Sequence, residues 1–97
     1  MTLELSLVLE KRETILDIAY RHKIHSISVF GSVARGESNS GSDLDLLCEI
    51  DRSLGLFPII RMESELETIF GVKVDVCPKF LLKPEILASA LKDAIRL

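Results

Sequence analysis

The 97-residue chain has no lysine- or arginine-rich block, only two cysteines and few aromatic side chains. Nor does it contain an apolar run approaching the ~20 residues that a membrane-spanning helix needs. Each shortage narrows the possible functions. With a formal net charge of −3, the chain lacks the broad basic face that a phosphate backbone attracts, which counts against RNA or DNA as the main partner. Cys48 and Cys77 are too few for a thiolate metal cage, and their places at the ends of apolar strands suit core-filling thiols. No signal-peptide pattern opens the chain, so the expected location is the cytoplasm. The length leaves no room for a second core, and residues 1–97 are expected to form one domain without repeats or linker.

The informative stretch is Ser28-Val29-Phe30-Gly31-Ser32-Val33-Ala34-Arg35-Gly36, followed by a polar loop and Ser42-Asp43-Leu44-Asp45-Leu46-Leu47. Ile27–Phe30 reads as a short buried strand that feeds into Gly31-Ser32, a helical turn through Arg35, and a stop at Gly36. Ten residues separate Ser32 from Asp43, and Asp45 follows two positions later. On an extended strand residues i and i+2 share a face, so Asp43 and Asp45 project together while Leu44, Leu46 and Cys48 point the other way. Two adjacent carboxylates repel, and a divalent cation relieves them. Magnesium takes oxygen ligands and is commonly held by one or two carboxylates plus substrate phosphates. At Gly31-Ser32 the first turn of a helix offers backbone N–H groups without internal partners, glycine permits close approach, and the serine hydroxyl adds a donor. One end of such a site suits triphosphate oxygens and the other the metal they share. Either part alone is also compatible with an ordinary loop bearing solvated aspartates.

The rest of the chain reads as a frame. Apolar spacing predicts a helix from about Leu5 to His22, imperfect across Glu10–Thr14. His22 and His25 lack companions at ligand spacing and read as solvated or capping residues. Arg35 has two readings, a guanidinium near the phosphates or protein substrate, or a surface pair with Glu37. The small polar loop Glu37–Ser42 is expected to be flexible and to close on a bound nucleotide. Asp43–Asp51 reads as the second strand, with Glu49 and Asp51 as solvated charges at its end. A helix is predicted over Leu54–Phe70, with Pro58 in its first turn, Gly71 after its end, and Leu56, Ile59, Ile60, Leu66, Ile69 and Phe70 as its apolar side. Arg61, Glu63, Ser64, Glu65, Glu67 and Thr68 read as its solvated face. Val72–Cys77 alternates as a third strand. An aspartate in mid-strand among valines is unfavourable unless something uses it. If this strand pairs beside the second, Asp75 joins Asp43 and Asp45 as a third carboxylate; otherwise it is a strand-edge charge. Lys73 reads as solvated or as neutralising the carboxylates. A last helix is predicted from Lys83-Pro84-Glu85 to the chain end, with Ile86, Leu87, Ala90, Leu91, Ala94, Ile95 and Leu97 on its apolar face, part of it a candidate partner surface.

Gly-Ser, a ten-residue interval and Asp-x-Asp resemble the signature of the polymerase-beta-like nucleotidyltransferase superfamily. The order of elements, together with Leu66-Glu67-Thr68-Ile69-Phe70-Gly71-Val72-Lys73-Val74-Asp75-Val76, looks like the minimal nucleotidyltransferase (MNT) family over nearly the whole chain. The resemblance implies an α/β (α+β) fold, here a three-stranded mixed sheet packed with about four helices. It implies a nucleotidyltransferase in which Gly31 and Ser32 hold the triphosphate, with Arg35 a further nucleotide-binding candidate. Asp43, Asp45 and Asp75 match the family's metal-binding and catalytic triad, for one or two Mg2+ ions and ATP as donor. Larger relatives append a helical acceptor-binding region, and this chain is expected to rely on a partner or second copy instead. Stand-alone proteins of this kind resemble the antitoxins of HEPN–MNT pairs, which transfer AMP from ATP to a tyrosine of the HEPN ribonuclease. The HEPN nuclease motif is absent, so the chain is not read as the toxin. Rival readings are modification of an RNA end such as tRNA, non-catalytic masking of a nuclease, and one subunit of a split small-molecule nucleotidyltransferase.

Overall fold

Leu44, Leu46, Leu47 and Cys48 are almost completely withdrawn from solvent, so strand β2 (Leu44–Glu49) must be covered on its faces and paired along both edges. The computed structural model, which describes residues 2–97, meets that demand. Strand β1 (His25–Phe30) runs antiparallel along one edge of β2, and β3 (Val74–Pro78) runs parallel along the other. A short strand, β4 (Ile95–Arg96), adds to the free edge of β1 and gives a mixed four-stranded sheet in the order β3-β2-β1-β4. Five helices accompany it: α1 (Leu5–Glu10), α2 (Arg12–Arg21), α3 (Gly31–Arg35), α4 (Phe57–Phe70) and α5 (Pro84–Asp93). Short 3-10 turns at Arg52–Leu54 and Lys79–Leu81 complete the chain. Among the described residues no helix is long and apolar enough to cross a membrane.

Side-chain parity divides the sheet. Ile27 and Val29 of β1, Leu44, Leu46 and Cys48 of β2, and Val74 and Val76 of β3 join one core cluster with Val8, Ile15, Ile18, Ile59, Met62, Leu66 and Phe70 from the helices. The opposite face carries Phe30, Asp45 and Asp75, aligned across three strands by the partners Phe30↔Asp45 and Asp45↔Asp75. Helix α5 packs on β1 and α3, and the only residue it buries is Ala90. The carboxylate-bearing face therefore has the thinner cover.

Several expectations are corrected by long-range contacts. The first helix breaks at Lys11 (φ −98°, ψ 20°), inside the polar run, which lets Val8 and the Ile15–Ile18–Ala19 stripe reach the core independently. The last helix stops at Asp93. Ala94 turns extended, Ile95 and Arg96 pair with β1, and the Leu97 N–H donates to the Ile27 carbonyl at 2.9 Å. The apolar period alone continues through Ile95 and Leu97, but the unpaired edge of β1 offers those residues backbone hydrogen bonds that a helix end cannot. The sheet thus has four strands where three were expected. In α4, Met62 takes the buried place between Ile59 and Leu66, while Ile60 and Ile69, and Leu56 just ahead of the helix, remain exposed.

Glu63 and Glu67 are not part of a merely solvated face. Strand β3 lies at the sheet edge, and Glu67 Oε2 accepts from the Val74 N–H at 3.0 Å while Glu63 Oε2 accepts from the Val76 N–H at 2.9 Å. Two carboxylates one helical turn apart thereby occupy the outward N–H groups of an edge strand. Burial is the main reason the Glu63 carboxyl is pushed above its ordinary pKa, and the Val76 N–H works against that rise. The cysteines are free thiols; Cys48, pushed up to about 12 chiefly by burial, fills the core as expected, whereas Cys77, pushed up to about 11 by burial and then by the charges of Asp45 and Asp75, is only partly buried and lies on the carboxylate-bearing face. Glu63→Ala leaves the Val76 N–H without its partner. Chemical denaturation should show a loss of about 1–3 kcal/mol, and Glu63→Gln, which keeps an acceptor oxygen, a smaller one.

Candidate active site

Asp45 is where the sheet register matters most. The parallel pairing of β2 and β3 sets it directly beside Asp75, and the antiparallel pairing of β1 and β2 sets it beside Phe30, the last residue before Gly31. Asp43 lies just ahead of β2, half-exposed, and is close enough to act electrostatically on Asp45. The pairing of β2 with β3 thus brings Asp75 into the neighbourhood of Asp45, with Asp43 at the entrance to β2. Lys73 approaches Asp75 at 3.9 Å and is largely exposed, in keeping with a neutralising role.

The consequence is a reluctant carboxylate. Asp45 is pushed up to about 6, first by burial and then by the charges of Asp75 and Asp43, while Arg35 and Lys73 pull the other way. Among the described residues no three His, Cys, Asp or Glu side chains converge closely enough to form a ready-made metal cage. The donor set nonetheless fits a hard divalent cation. It consists of carboxylate oxygens under mutual repulsion, on the side of the sheet with little cover, and such an ion neutralises them while keeping room for water and phosphate.

Gly31 is required by the same geometry. Its φ is +76°, and a Cβ placed there would lie 2.5 Å from Asp45 Oδ2. Any other residue would collide with the carboxylate and strain the backbone. Ser32 follows, half-exposed, and α3 ends at Gly36 in the left-handed conformation. At five residues α3 is too short to carry much macrodipole, so an anion placed here would depend on individual backbone and hydroxyl donors.

Arg35 pairs with Glu37 at 3.4 Å, one of the two readings given above, but its shorter contact is with Asp93 at the end of α5, 2.7 Å from Nη1. That partner lies 58 positions away, and no local pattern could have named it. The polar loop ahead of Asp43 makes local hydrogen bonds and one to the N-terminal segment. The Asn39 N–H donates to Ser42 Oγ at 2.9 Å, the Gly41 N–H donates to Asn39 Oδ1 at 2.8 Å, and Ser38 Oγ donates to the Leu3 carbonyl at 2.6 Å. Glu49 and Asp51 are exposed and remote in register from the carboxylates. His22 lies 3.5 Å from Glu65 and His25 beside Ser26, both away from these strands' aspartates.

The raised Asp45 pKa gives stability a definite pH dependence. The folded state binds this proton more tightly than the unfolded chain does, so without divalent cation the contribution is favourable below about 4 and is lost as pH rises to about 6. Melting temperatures measured from pH 4 to 8 should show that decline, and Asp45→Asn should flatten it and raise the melting temperature near pH 7. Gly31→Ala should cost about 1–3 kcal/mol in denaturant titration, through strain at positive φ.

The nucleotidyltransferase domain family matches residues 11–97, most of the chain. Protein adenylyltransferase MntA of Thermococcus cleftensis is 34% identical over 94 residues, covering 92% of this chain and 95% of that one. A solved structure provisionally described as a minimal nucleotidyltransferase superposes with a TM-score of 0.85 at 37% identity, over 98% of this chain and 97% of the other. A chain from a toxin–antitoxin complex with AMP-PNP superposes at 0.74, covering 87% of this chain and 69% of its own, but at 16% identity it is similar in fold alone. Family match, relatives and fold agree with the carboxylate-bearing sheet, and the chain belongs to the minimal branch of the nucleotidyltransferase family and is a nucleotidyltransferase.

Proposed function

We propose that this protein is a magnesium-dependent protein adenylyltransferase, a single minimal domain acting in the cytoplasm as an antitoxin. Its acceptor is a tyrosine hydroxyl on a cognate HEPN-family ribonuclease, and its donor is ATP. The observation that carries the catalytic part is the register Asp45↔Asp75, with the turn at Gly31 packed against the Asp45 carboxylate. The choice of acceptor is supported by the similarity to a protein adenylyltransferase across almost its full length. The fold shared with a chain of a toxin–antitoxin complex is in keeping with a toxin as partner.

In this reading Asp43, Asp45 and Asp75 hold one or two Mg2+ ions. When bound, the ions supply positive charge to the phosphates and to the pyrophosphate leaving group. Gly31 and Ser32 receive the β,γ-phosphates, where the absence of a side chain on Gly31 lets the backbone approach. Asp75, on the edge strand and half-exposed, orients the acceptor hydroxyl and takes its proton. The acceptor oxygen attacks the α-phosphorus in line, the bond to the β-phosphate bridge breaks, and pyrophosphate leaves. AMP is then esterified to the acceptor, and no covalent intermediate on this chain is needed. The net charge of −3 disfavours an RNA acceptor.

Intact-mass analysis of the HEPN partner after incubation with this protein, ATP and Mg2+ tests the reading. The expected result is the added mass of one or more AMP units. Asp43→Asn/Asp45→Asn should slow that addition by at least about a thousandfold, the scale on which stabilisation of developing charge operates. Full neutralisation of the partner without added mass would replace the proposal with masking. Label transferred to tRNA instead would replace it with RNA modification.

A further inference from the structure

Arg35 has more acidic company than a surface arginine needs. Its Nη1 bonds Asp93 Oδ2 at 2.7 Å and its Nε faces Glu37 Oε1 at 3.4 Å, so the ion pairs occupy two of its three guanidinium nitrogens. Both partners are anions, and neither belongs to the carboxylate group around Asp45. Yet Arg35 is near enough to that group to lower the Asp45 pKa.

Asp93 is itself in an unfavourable place. It is the last residue of the ten-residue helix α5, where the macrodipole is negative and a cation is preferred. Only a quarter of its side chain is exposed, and Arg35 is its ion-pair partner. The bridge spans a gap between α3 and α5, a cavity of about 290 Å3 lined by Gly31, Arg35, Glu85, Ser89 and Asp93 among others. Gly31 therefore belongs both to this cavity and to the contact with Asp45. A guanidinium that leaves Asp93 has open space beside it, and the space adjoins the glycine expected to face phosphate.

We propose that Asp93 is a positioning residue for nucleotidyl transfer: it holds Arg35 against α5 in the empty site and yields it to the incoming triphosphate. The inference rests on the reading of Gly31 and Ser32 as the phosphate-binding end. A triphosphate outbids a single carboxylate for a guanidinium because it offers more charge and several acceptor oxygens to the same planar fork. While Arg35 stays with Asp93 the binding-competent arrangement is only part of the population, and apparent affinity is reduced by that fraction. The exchange also removes the ion pair that ties the end of α5 to α3, so nucleotide binding loosens the contact of α5 with α3.

Calorimetric titration of the full chain with a non-hydrolysable ATP analogue and Mg2+ tests this. Asp93→Asn should tighten binding about three- to tenfold. Arg35→Ala should weaken it, and adding Asp93→Asn to Arg35→Ala should change nothing further. Asp93→Glu, which keeps the charge, should restore affinity close to the unaltered protein, a rescue that a merely structural role for Asp93 would not require. Unchanged or weaker binding by Asp93→Asn, with its melting curve intact, overturns the proposal. So does tightening that persists in the Arg35→Ala background, which would report general loss of negative charge. If the unaltered chain fails to bind the analogue with Mg2+, the phosphate-site reading falls as well, so the two failures are distinguishable.

Discussion

The pairing of β2 with β3 in parallel register is the constraint on which the rest depends. It aligns Leu44 with Val74 and Leu46 with Val76 on the core face, and in the same step aligns Asp45 with Asp75 on the other. A slip of one residue would put valines beside aspartates and turn both faces inside out. The apolar core thus fixes the position of the carboxylates without touching them. Burial of Leu44, Leu46, Val74 and Val76 is the favourable term, and the crowding of like charges around Asp45 is an unfavourable one that it sustains.

That division explains how a small chain supports an electrostatically strained site. The strain is localised on one face and one edge, while α2 and α4 pack the opposite face into a continuous cluster. Glu63 and Glu67 serve the same end from outside the site. By accepting the outward N–H groups of β3 they finish an edge that would otherwise pair with another chain, and they hold the strand that carries Asp75. Gly31 is the complementary concession. The turn out of β1 passes so near Asp45 that a Cβ at position 31 would meet its carboxylate, and the positive φ of that turn suits glycine as well.

Much of this was legible from local pattern. Alternation in Val72–Cys77, the strand before Gly31 and the apolar run after Asp43 identify three strands, because a period of two needs no knowledge of neighbours, although β2 begins at Leu44 and leaves Asp43 just ahead of it. The helix-ending glycine at 71 and the early prolines at 58 and 84 likewise marked boundaries within a few residues. What failed, failed for a common reason. Ile95 and Leu97 continue a helical stripe but pair with β1; Ile60 and Ile69 look like core but lose their places to Met62; Glu63 and Glu67 look solvated but bond a strand. In each case a distant partner outweighed local periodicity.

The sequence by itself determined the resemblance to the family, the closely spaced pair Asp43 and Asp45, and the candidacy of Gly31 and Asp75, since these follow from motif, residue type and short spacing. Only the tertiary structure decided that Asp75 stands beside Asp45 and that β1 acquires a fourth-strand neighbour. It also decided that the edge of β3 is closed by two glutamates and that Arg35 belongs first to Asp93. Those outcomes depend on which elements meet across tens of residues. That choice is made by burying the core as a whole, which no local window of the chain contains.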